Sequence, residues 1–427
     1  MFFERPDAGE RALLLHCDFS SATTSEAEQQ LTEFVDLACS AGAEPLETVL
    51  VRRRAPTAKF FIGTGKVAEL RELVQRQSIE VVLFNHDLSP SQERNLEREL
   101  CCKVLDRCGL ILDIFAQRAR SHVGKLQVEL AQLQHISTRL IRGWTHLERQ
   151  KGGIGLRGPG ESQLETDRRL LRERIKWIHR RLAKVNSQRQ QGRRARQRAD
   201  LPTVALVGYT NAGKSTLFNR LAAADVYAED QLFATLDPTL RAIDLPHFGR
   251  AILADTVGFV RQLPHTLVAA FKATLEEAAE ADLLLHVIDA SVEDVDQHRC
   301  AVQQVLAEIG AADLPLIEVV NKMDCLTTAV VALPPPDSGV PRVARSAQSG
   351  EGIDALVAAL AEALGGQMWQ GSLSISPQKA KLRAQLYDVG AVLAESISPR
   401  GDYQLQLRYP KQDLDRLLAA AEVPRLQ

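Results

Sequence analysis

Residues Gly208 to Ser215 have the types and the spacing of a phosphate-binding loop. Glycine, four free positions and Gly-Lys-Ser follow the apolar run Thr203–Val207 and precede the helix-like run Thr216–Ala222. In such a loop the backbone N–H groups face a polyphosphate, the lysine reaches its β and γ oxygens, and the serine hydroxyl binds Mg²⁺. We therefore predict a nucleotide site, with these residues in contact: Gly208, Tyr209, Thr210, Asn211, Ala212, Gly213, Lys214, Ser215 and Thr216.

Three later motifs predict which nucleotide is bound. An apolar strand ends in Asp255-Thr-Val-Gly258, whose carboxylate can hold the Mg²⁺ shell through water and whose glycine N–H can meet a γ-phosphate. Asp324, after a further strand, can accept from N1–H and the 2-amino group of guanine, whereas adenine has no matching donors. The tripeptide Ser346-Ala347-Gln348 is placed to support the base through its backbone N–H groups. We therefore predict that the nucleotide is GTP. The predicted contacts from these motifs are Asp255, Thr256, Val257, Gly258, Asn321, Lys322, Met323, Asp324, Ser346, Ala347 and Gln348.

Residues 233–239, between the phosphate loop and Asp255, are the predicted switch I. Thr235 is the predicted second hydroxyl ligand of Mg²⁺ beside Ser215, with Thr239 as its competitor. We predict that Lys214, Thr235 and Gly258 serve catalysis. The predicted nucleotide contacts of switch I are Phe233, Ala234, Thr235, Leu236 and Asp237.

Phe259 stands where Ras-like enzymes have a water-orienting glutamine. Hydrolysis is therefore expected to be slow or to take its catalytic group from elsewhere. We also hypothesise that the Asn211 side-chain oxygen holds a monovalent cation such as K⁺ beside the phosphates, as in some GTPases that lack the glutamine. Equal single-turnover hydrolysis in KCl and NaCl would remove this hypothesis.

Composition limits the class of protein. A chain of 427 residues predicts roughly three domains. No apolar run approaches the ~18 residues of a membrane span, and the first residues lack the order of a signal peptide, so we expect a cytoplasmic protein without a membrane partner, monomeric in solution. The 7 cysteines show no paired ligand spacing, which predicts free or buried thiols rather than disulfides or zinc.

Charge is concentrated in one segment. Residues 117–200 contain about 21 Lys and Arg against about 7 Asp and Glu, so the rest of this chain of net charge −2 is acidic. Apolar residues recur at steps of three and four in 123–147 and again in 164–185, which predicts an antiparallel helical hairpin with arms on the order of 40 Å that project from the body. Its glycine-rich tip, 151–161, and its basic face predict RNA contacts at Lys151, Arg157, Arg168, Arg169, Arg180 and Arg181.

The flanking regions alternate helix-like and strand-like patterns. Residues 1–115 predict an α/β domain with a small parallel sheet and helices on both faces, in which Gly63–Lys66 is interpreted as a helix-entry turn rather than half a phosphate loop. Residues 116–199 are the predicted hairpin and 200–366 the P-loop GTPase domain with a Ras-like doubly wound sheet. Residues 367–427 predict a small α+β domain in which one helix covers Pro377–Leu393. The fold class is thus multidomain α/β.

Taken together, the chain resembles the HflX family of translational GTPases. The resemblance rests on Gly152–Arg169, similar to the signature loop of that family, and on Phe60–Lys66 and Phe233–Thr239. It implies that the N-terminal domain and helical linker insert into the large ribosomal subunit near the peptidyl transferase centre. It also implies that the GTP-bound protein dissociates stalled or stress-inactivated ribosomes.

Other functions stay open at this point. One is an RNA-remodelling ATPase with a second nucleotide site at Gly63–Lys66, against which Asp324 and the incomplete second loop argue. A ribosome-assembly GTPase is another. A non-catalytic RNA-binding scaffold is disfavoured because Lys214, Ser215 and Asp255 are all present.

Overall fold

The computed structural model describes most of the chain. Among the described residues, no helix is long and apolar enough to cross a membrane. All seven cysteines are free thiols, as predicted. The described residues are 10–19, 24–143, 159–198, 201–223, 232–233, 235–236, 238–246, 248–261, 275, 277–292, 294–325, 340–364, 368–398 and 401–421.

The N-terminal domain is a parallel four-stranded sheet in the order β2-β1-β3-β4, with helices on both faces as predicted. Helices α1 and α4 bury Phe34 and Phe115 on one face, and α2 and α3 bury Leu70 and Leu96 on the other. Gly63 is the N-cap of α2, in agreement with a helix-entry turn. The elements are β1 (Glu10–Asp18), α1 (Thr24–Ser40), β2 (Ala43–Arg52), α2 (Thr64–Gln77), β3 (Val81–Phe84), α3 (Pro90–Leu100), β4 (Lys103–Asp106) and α4 (Arg107–Arg118).

Two long helices follow, α5 (His122–Gly143) and α6 (Pro159–Arg198). They pack on each other through Leu126, Leu130 and Ile178, which belong to the two apolar stripes read from the sequence. The expectation of an arm that projects freely is wrong for α5. Its Val128 and Ala131 lie in the core shared with the N-terminal domain, because α5 carries a second apolar face.

The third domain has a six-stranded sheet in the order β10-β9-β8-β5-β7-β6, parallel except for β6. The carboxyl ends of its parallel strands form one edge, where all predicted nucleotide motifs begin. Glu318 of β9 is buried and paired with both Arg299 and Arg342. The elements are β5 (Thr203–Gly208), α7 (Lys214–Ala222), β6 (Thr239–Leu245), β7 (Gly249–Asp255), β8 (Leu283–Asp289), α8 (Val295–Glu308), β9 (Leu316–Asn321), β10 (Arg342–Ala344) and α9 (Ile353–Leu364).

The C-terminal domain is a three-stranded antiparallel sheet in the order β11-β13-β12. The predicted helix Pro377–Leu393 is too long, because the helix ends at Asp388 and Gly390 takes φ 70°, after which a strand begins. The missed strand is short and largely exposed, so its sequence lacks a clear alternation of apolar residues. The elements are β11 (Met368–Ile375), α10 (Ala380–Asp388), β12 (Val392–Ile397), β13 (Tyr403–Pro410) and α11 (Lys411–Ala420).

Candidate nucleotide site

The phosphate loop joins β5 to α7 and requires glycine at two positions. Gly213 has φ +87°, and a Cβ there would lie 2.2 Å from the side-chain nitrogen of Asn321. At Gly208 a Cβ would lie 2.3 Å from the carbonyl oxygen of Val287. Both distances are shorter than any real contact, so a side chain at either position would push the loop away from its neighbouring strands.

Lys214 is the first residue of α7 and is buried. Its Nζ donates to the carbonyl oxygens of Gly208 at 3.1 Å and Tyr209 at 2.6 Å, so the ammonium lies inside the loop. Burial lowers the pKa of Lys214 to about 8, although the nearby Asp255 carboxylate opposes that shift. The group can therefore change its charge state in mildly alkaline solution.

Ser215, Thr235 and Asp255 converge at a candidate metal position. The Ser215 hydroxyl lies 2.7 Å from the Thr235 hydroxyl, and both donate to Asp255 Oδ2, at 2.7 and 3.0 Å. Asp255 Oδ1 is buried without a hydrogen-bond partner, and burial raises the pKa of this carboxyl. A compact set of oxygen ligands with one orphaned carboxylate oxygen fits Mg²⁺.

Thr235 and Thr239 occupy different places. Thr239 begins β6 and stands opposite Asp255 in the strand register, whereas the Thr235 hydroxyl reaches Ser215 directly. The geometry therefore favours Thr235 as the hydroxyl ligand. Of the other predicted switch I residues, Phe233 and Leu236 are buried, and Ala234 and Asp237 lie outside the described residues.

At the opposite end, Asn321 ties the phosphate loop to the base motif. Its side-chain amide donates to the Ala212 carbonyl and accepts from the Ala347 N–H, each at 2.8 Å. Asp324 is exposed, and a hydrogen bond from the Ser346 side chain lowers its pKa, so the carboxylate stays ionised and able to accept from guanine. Lys322 pairs with Asp289 at 2.8 Å.

Residues 256–261, which we call switch II, lie against the phosphate loop. The Thr210 N–H donates to the Phe259 carbonyl at 2.7 Å, and the Phe259 N–H donates to the Gly208 carbonyl at 3.1 Å. A Cβ on Gly258 would lie 3.1 Å from Lys214 Nζ, so this glycine lies beside the ammonium that is predicted to bind the phosphates. The Phe259 ring is fully buried in the core and takes no part in the site.

One cavity of about 360 Å³ brings most of these groups together. Seven of the predicted contacts do not line it: Gly208, Tyr209, Ala212, Leu236, Val257, Met323 and Ser346. Asp255 does not line it either, but accepts hydrogen bonds from Ser215 and Thr235, which do. The predicted residues that line it are Thr210, Asn211, Gly213, Lys214, Ser215, Thr216, Phe233, Thr235, Thr256, Gly258, Asn321, Lys322, Asp324, Ala347 and Gln348.

The sequence did not predict that the N-terminal domain contacts residues of the nucleotide site. The Tyr209 hydroxyl donates to Glu33 Oε2 and accepts from the Arg261 N–H, both at 2.8 Å. Arg107 donates to Glu33 Oε1 at 2.8 Å and to the Arg261 carbonyl at 3.0 Å. Phe115 of α4 packs edge-on against Phe233, with ring centroids 4.7 Å apart. No local pattern marks these residues, because each contact joins distant parts of the chain.

The predicted RNA residues are only partly described. Arg180 and Arg181 are exposed on α6. Arg169 is also exposed, and its Nη1 lies 3.6 Å from Glu173 Oε1. Arg168 is partly buried and has an interaction partner. Lys151 and Arg157 lie outside the described residues.

The doubly wound sheet, with a phosphate loop, Asp-x-x-Gly and Asn-Lys-x-Asp on one edge, defines a P-loop GTPase. Four family models match consecutive parts of the chain: GTP-binding GTPase N-terminal (28–116), GTP-binding GTPase Middle Region (118–196), 50S ribosome-binding GTPase (203–322) and HflX C-terminal domain (339–425). The chain belongs to the HflX GTPase family and is a GTP hydrolase.

Relatives match over nearly the whole length. GTPase HflX of Escherichia coli (strain K12) is 56% identical over 416 residues, 97% of each chain. GTPase HflX of Magnetococcus marinus is 49% identical over 366 residues, 86% of this chain and 84% of that protein. A solved GTP-binding protein from Sulfolobus solfataricus in complex with GDP is 22% identical, covering 83% of this chain and 99% of its own, with a TM-score of 0.43.

Proposed function

We propose that this GTPase binds the large ribosomal subunit in its GTP state and separates the subunits of stalled or stress-inactivated ribosomes. Hydrolysis then resets the switch and releases the protein. The observation that carries the proposal is a long basic helix, α6, which leads directly into the GTPase domain. The description of the family model for residues 203–322 as a 50S ribosome-binding GTPase supports the same partner.

The exposed face of α6 is suited to RNA. Arg180, Arg181 and Lys184 are exposed and can neutralise backbone phosphates. Trp177 is also exposed, with the Arg174 guanidinium 4.5 Å from its ring centroid, a combination that can stack on unpaired bases. Because phosphate contacts position a protein without reading sequence, this face supports binding to rRNA in general rather than to one base.

The nucleotide state can reach the RNA-binding part through switch II. A γ-phosphate would meet Gly258 and Thr235, and the segment just after Gly258 is held by Arg107 and, through Tyr209, by Glu33. Those two residues belong to the domain on which α5 packs. A shift of switch II would therefore change how the hairpin is presented to the ribosome.

Within the site, each group has a proposed task. Lys214 binds β and γ oxygens, Asp324 accepts from guanine, and Ser215 with Thr235 would hold Mg²⁺ with Asp255 behind them. When bound, Mg²⁺ supplies charge neutralisation at the phosphates. Asn211 is exposed and lines the cavity, which supports its proposed contact with K⁺.

Sedimentation of purified ribosomes with this protein in GTP, GDP, ATP and a non-hydrolysable GTP analogue tests the function. We expect co-migration with the large subunit, and intact ribosomes that fall apart only in GTP or its analogue. Lys214→Ala should abolish the nucleotide dependence because the γ-phosphate state is no longer sensed. Splitting that is equal in GDP and GTP, or unchanged GTP dependence in the variant, would refute the proposal.

A further inference from the structure

Arg220 contacts the base motif from the helix of the phosphate loop. It lies in the last turn of α7, and its guanidinium donates to the Gln348 carbonyl at 2.8 Å. The same guanidinium lies flat against Gly350, because a Cβ there would be 3.0 to 3.3 Å from three of its atoms. Gly350 has φ +89°, so a side chain at this position would be strained as well as crowded.

The loop that Arg220 touches is a tight turn that forms one wall of the cavity. The Gly350 N–H donates to the Ser346 carbonyl at 3.0 Å, and the Ser349 N–H donates to the Ser346 hydroxyl at 3.1 Å. Ala347 and Gln348, inside this turn, line the cavity. A bond to the Gln348 carbonyl therefore acts on the backbone of the wall itself.

We propose that Arg220 is a positioning residue that holds the 346–350 turn closed over the base and so sets the affinity for guanine nucleotides. Helix α7 begins with Lys214 and Ser215 at the phosphates and ends beside Arg220 at the base loop. One rigid helix thus fixes the distance between the two halves of the nucleotide site. Arg220 does not line the cavity, so it acts through Gln348 rather than on the ligand.

The expected signature is a change in binding without a change in chemistry. In Arg220→Ala the turn loses its tie to α7, and we expect a fluorescent GDP analogue to dissociate about fivefold faster. The KM for GTP should rise by about the same factor while kcat stays within about twofold, because the groups around the γ-phosphate are untouched. Arg220→Lys keeps a donor but loses the flat face, so it should recover only part of the affinity.

Stopped-flow dissociation and steady-state kinetics on the full chain test the proposal, with Arg250→Ala as the control. Arg250 is an exposed arginine of the same domain that pairs with the exposed Asp244. Wild-type dissociation in Arg220→Ala, an equal effect in Arg250→Ala, or a fall in kcat with unchanged KM would overturn it. So would Arg220→Lys that equals the wild type, since the guanidinium plane would then be unnecessary.

The inference rests on the assignment of this turn to guanine, which Asp324→Ala tests separately. Suppose that Asp324→Ala loses the preference for GTP over ATP while Arg220→Ala releases the GDP analogue at the wild-type rate. That result would contradict only the role of Arg220. If Asp324→Ala keeps the preference, the base site itself is misassigned.

Discussion

Replacing Glu33 by alanine should loosen the docking of the N-terminal domain on switch II. The Glu33 carboxylate accepts from Arg107 and from the Tyr209 hydroxyl, each at 2.8 Å, and Arg261 Nε lies 3.7 Å away. Alanine removes all three interactions at once. Two of these interactions, with Tyr209 and Arg261, join the two domains, whereas Arg107 belongs to the same domain as Glu33.

The magnitude follows from the hydrogen bond that joins the two domains. A hydrogen bond to a charged group contributes about 1.5–3 kcal/mol. Tyr209 is buried, and its hydroxyl donates to the Glu33 carboxylate, whose side chain is 14% exposed. A loss of about 2 kcal/mol corresponds to a shift of roughly 30-fold in the equilibrium between docked and undocked domains.

Hydrogen exchange of the segment that contains the Arg261 N–H measures this equilibrium, since that amide donates to the Tyr209 hydroxyl, which in turn donates to Glu33 across the interface. We expect protection to fall by about 30-fold in Glu33→Ala and to stay at wild-type level in Glu28→Ala, an exposed carboxylate on the same helix. Unchanged exchange in Glu33→Ala, or an equal loss of protection in Glu28→Ala, would refute the reasoning.

Three further predictions concern pH, the metal ligand and the core. Lys214, with its pKa lowered to about 8, is charged below that pH and neutral above it. Because neutral lysine does not attract the phosphates, the Kd for GTP should rise up to about tenfold per pH unit above pH 8. A flat binding profile from about pH 7 to about pH 9.5 would contradict this. Thr235→Ala should reduce kcat about 100-fold and raise the Mg²⁺ concentration needed for half-maximal hydrolysis, whereas Thr239→Ala should stay near wild type. Mg²⁺ titrations of hydrolysis measure both variants. A larger effect in Thr239→Ala than in Thr235→Ala would show that the metal ligand was misassigned. Glu318→Ala removes the carboxylate shared by the buried Arg299 and the partly buried Arg342, and it should lower the free energy of unfolding by about 3 kcal/mol in urea titration. A loss below about 1 kcal/mol would mean that the arginines find other partners.

Contiguous motifs made the nucleotide site predictable. The phosphate loop, Asp255-Thr-Val-Gly258 and Asn321-Lys-Met-Asp324 each sit at the end of a strand, and the carboxyl ends of parallel strands meet at one edge. The parallel sheet of the N-terminal domain was equally predictable, because helices and strands alternate along this part of the sequence and each shows a strong periodic pattern. The domain boundaries and the roles of individual site residues stay predictions.

Long-range packing decided what the sequence left open. The sequence did not predict strand β12, because short exposed strands show little periodicity in apolar residues. The choice between Thr235 and Thr239 as the metal ligand required the position of their hydroxyl groups in the structure. The sequence by itself determined the nucleotide, the reaction and the family, because a few adjacent residues dictate that chemistry locally. Only the tertiary structure decided that Tyr209 of the phosphate loop is held by Glu33, 176 residues earlier, because such a contact depends on how two domains pack and leaves no local trace.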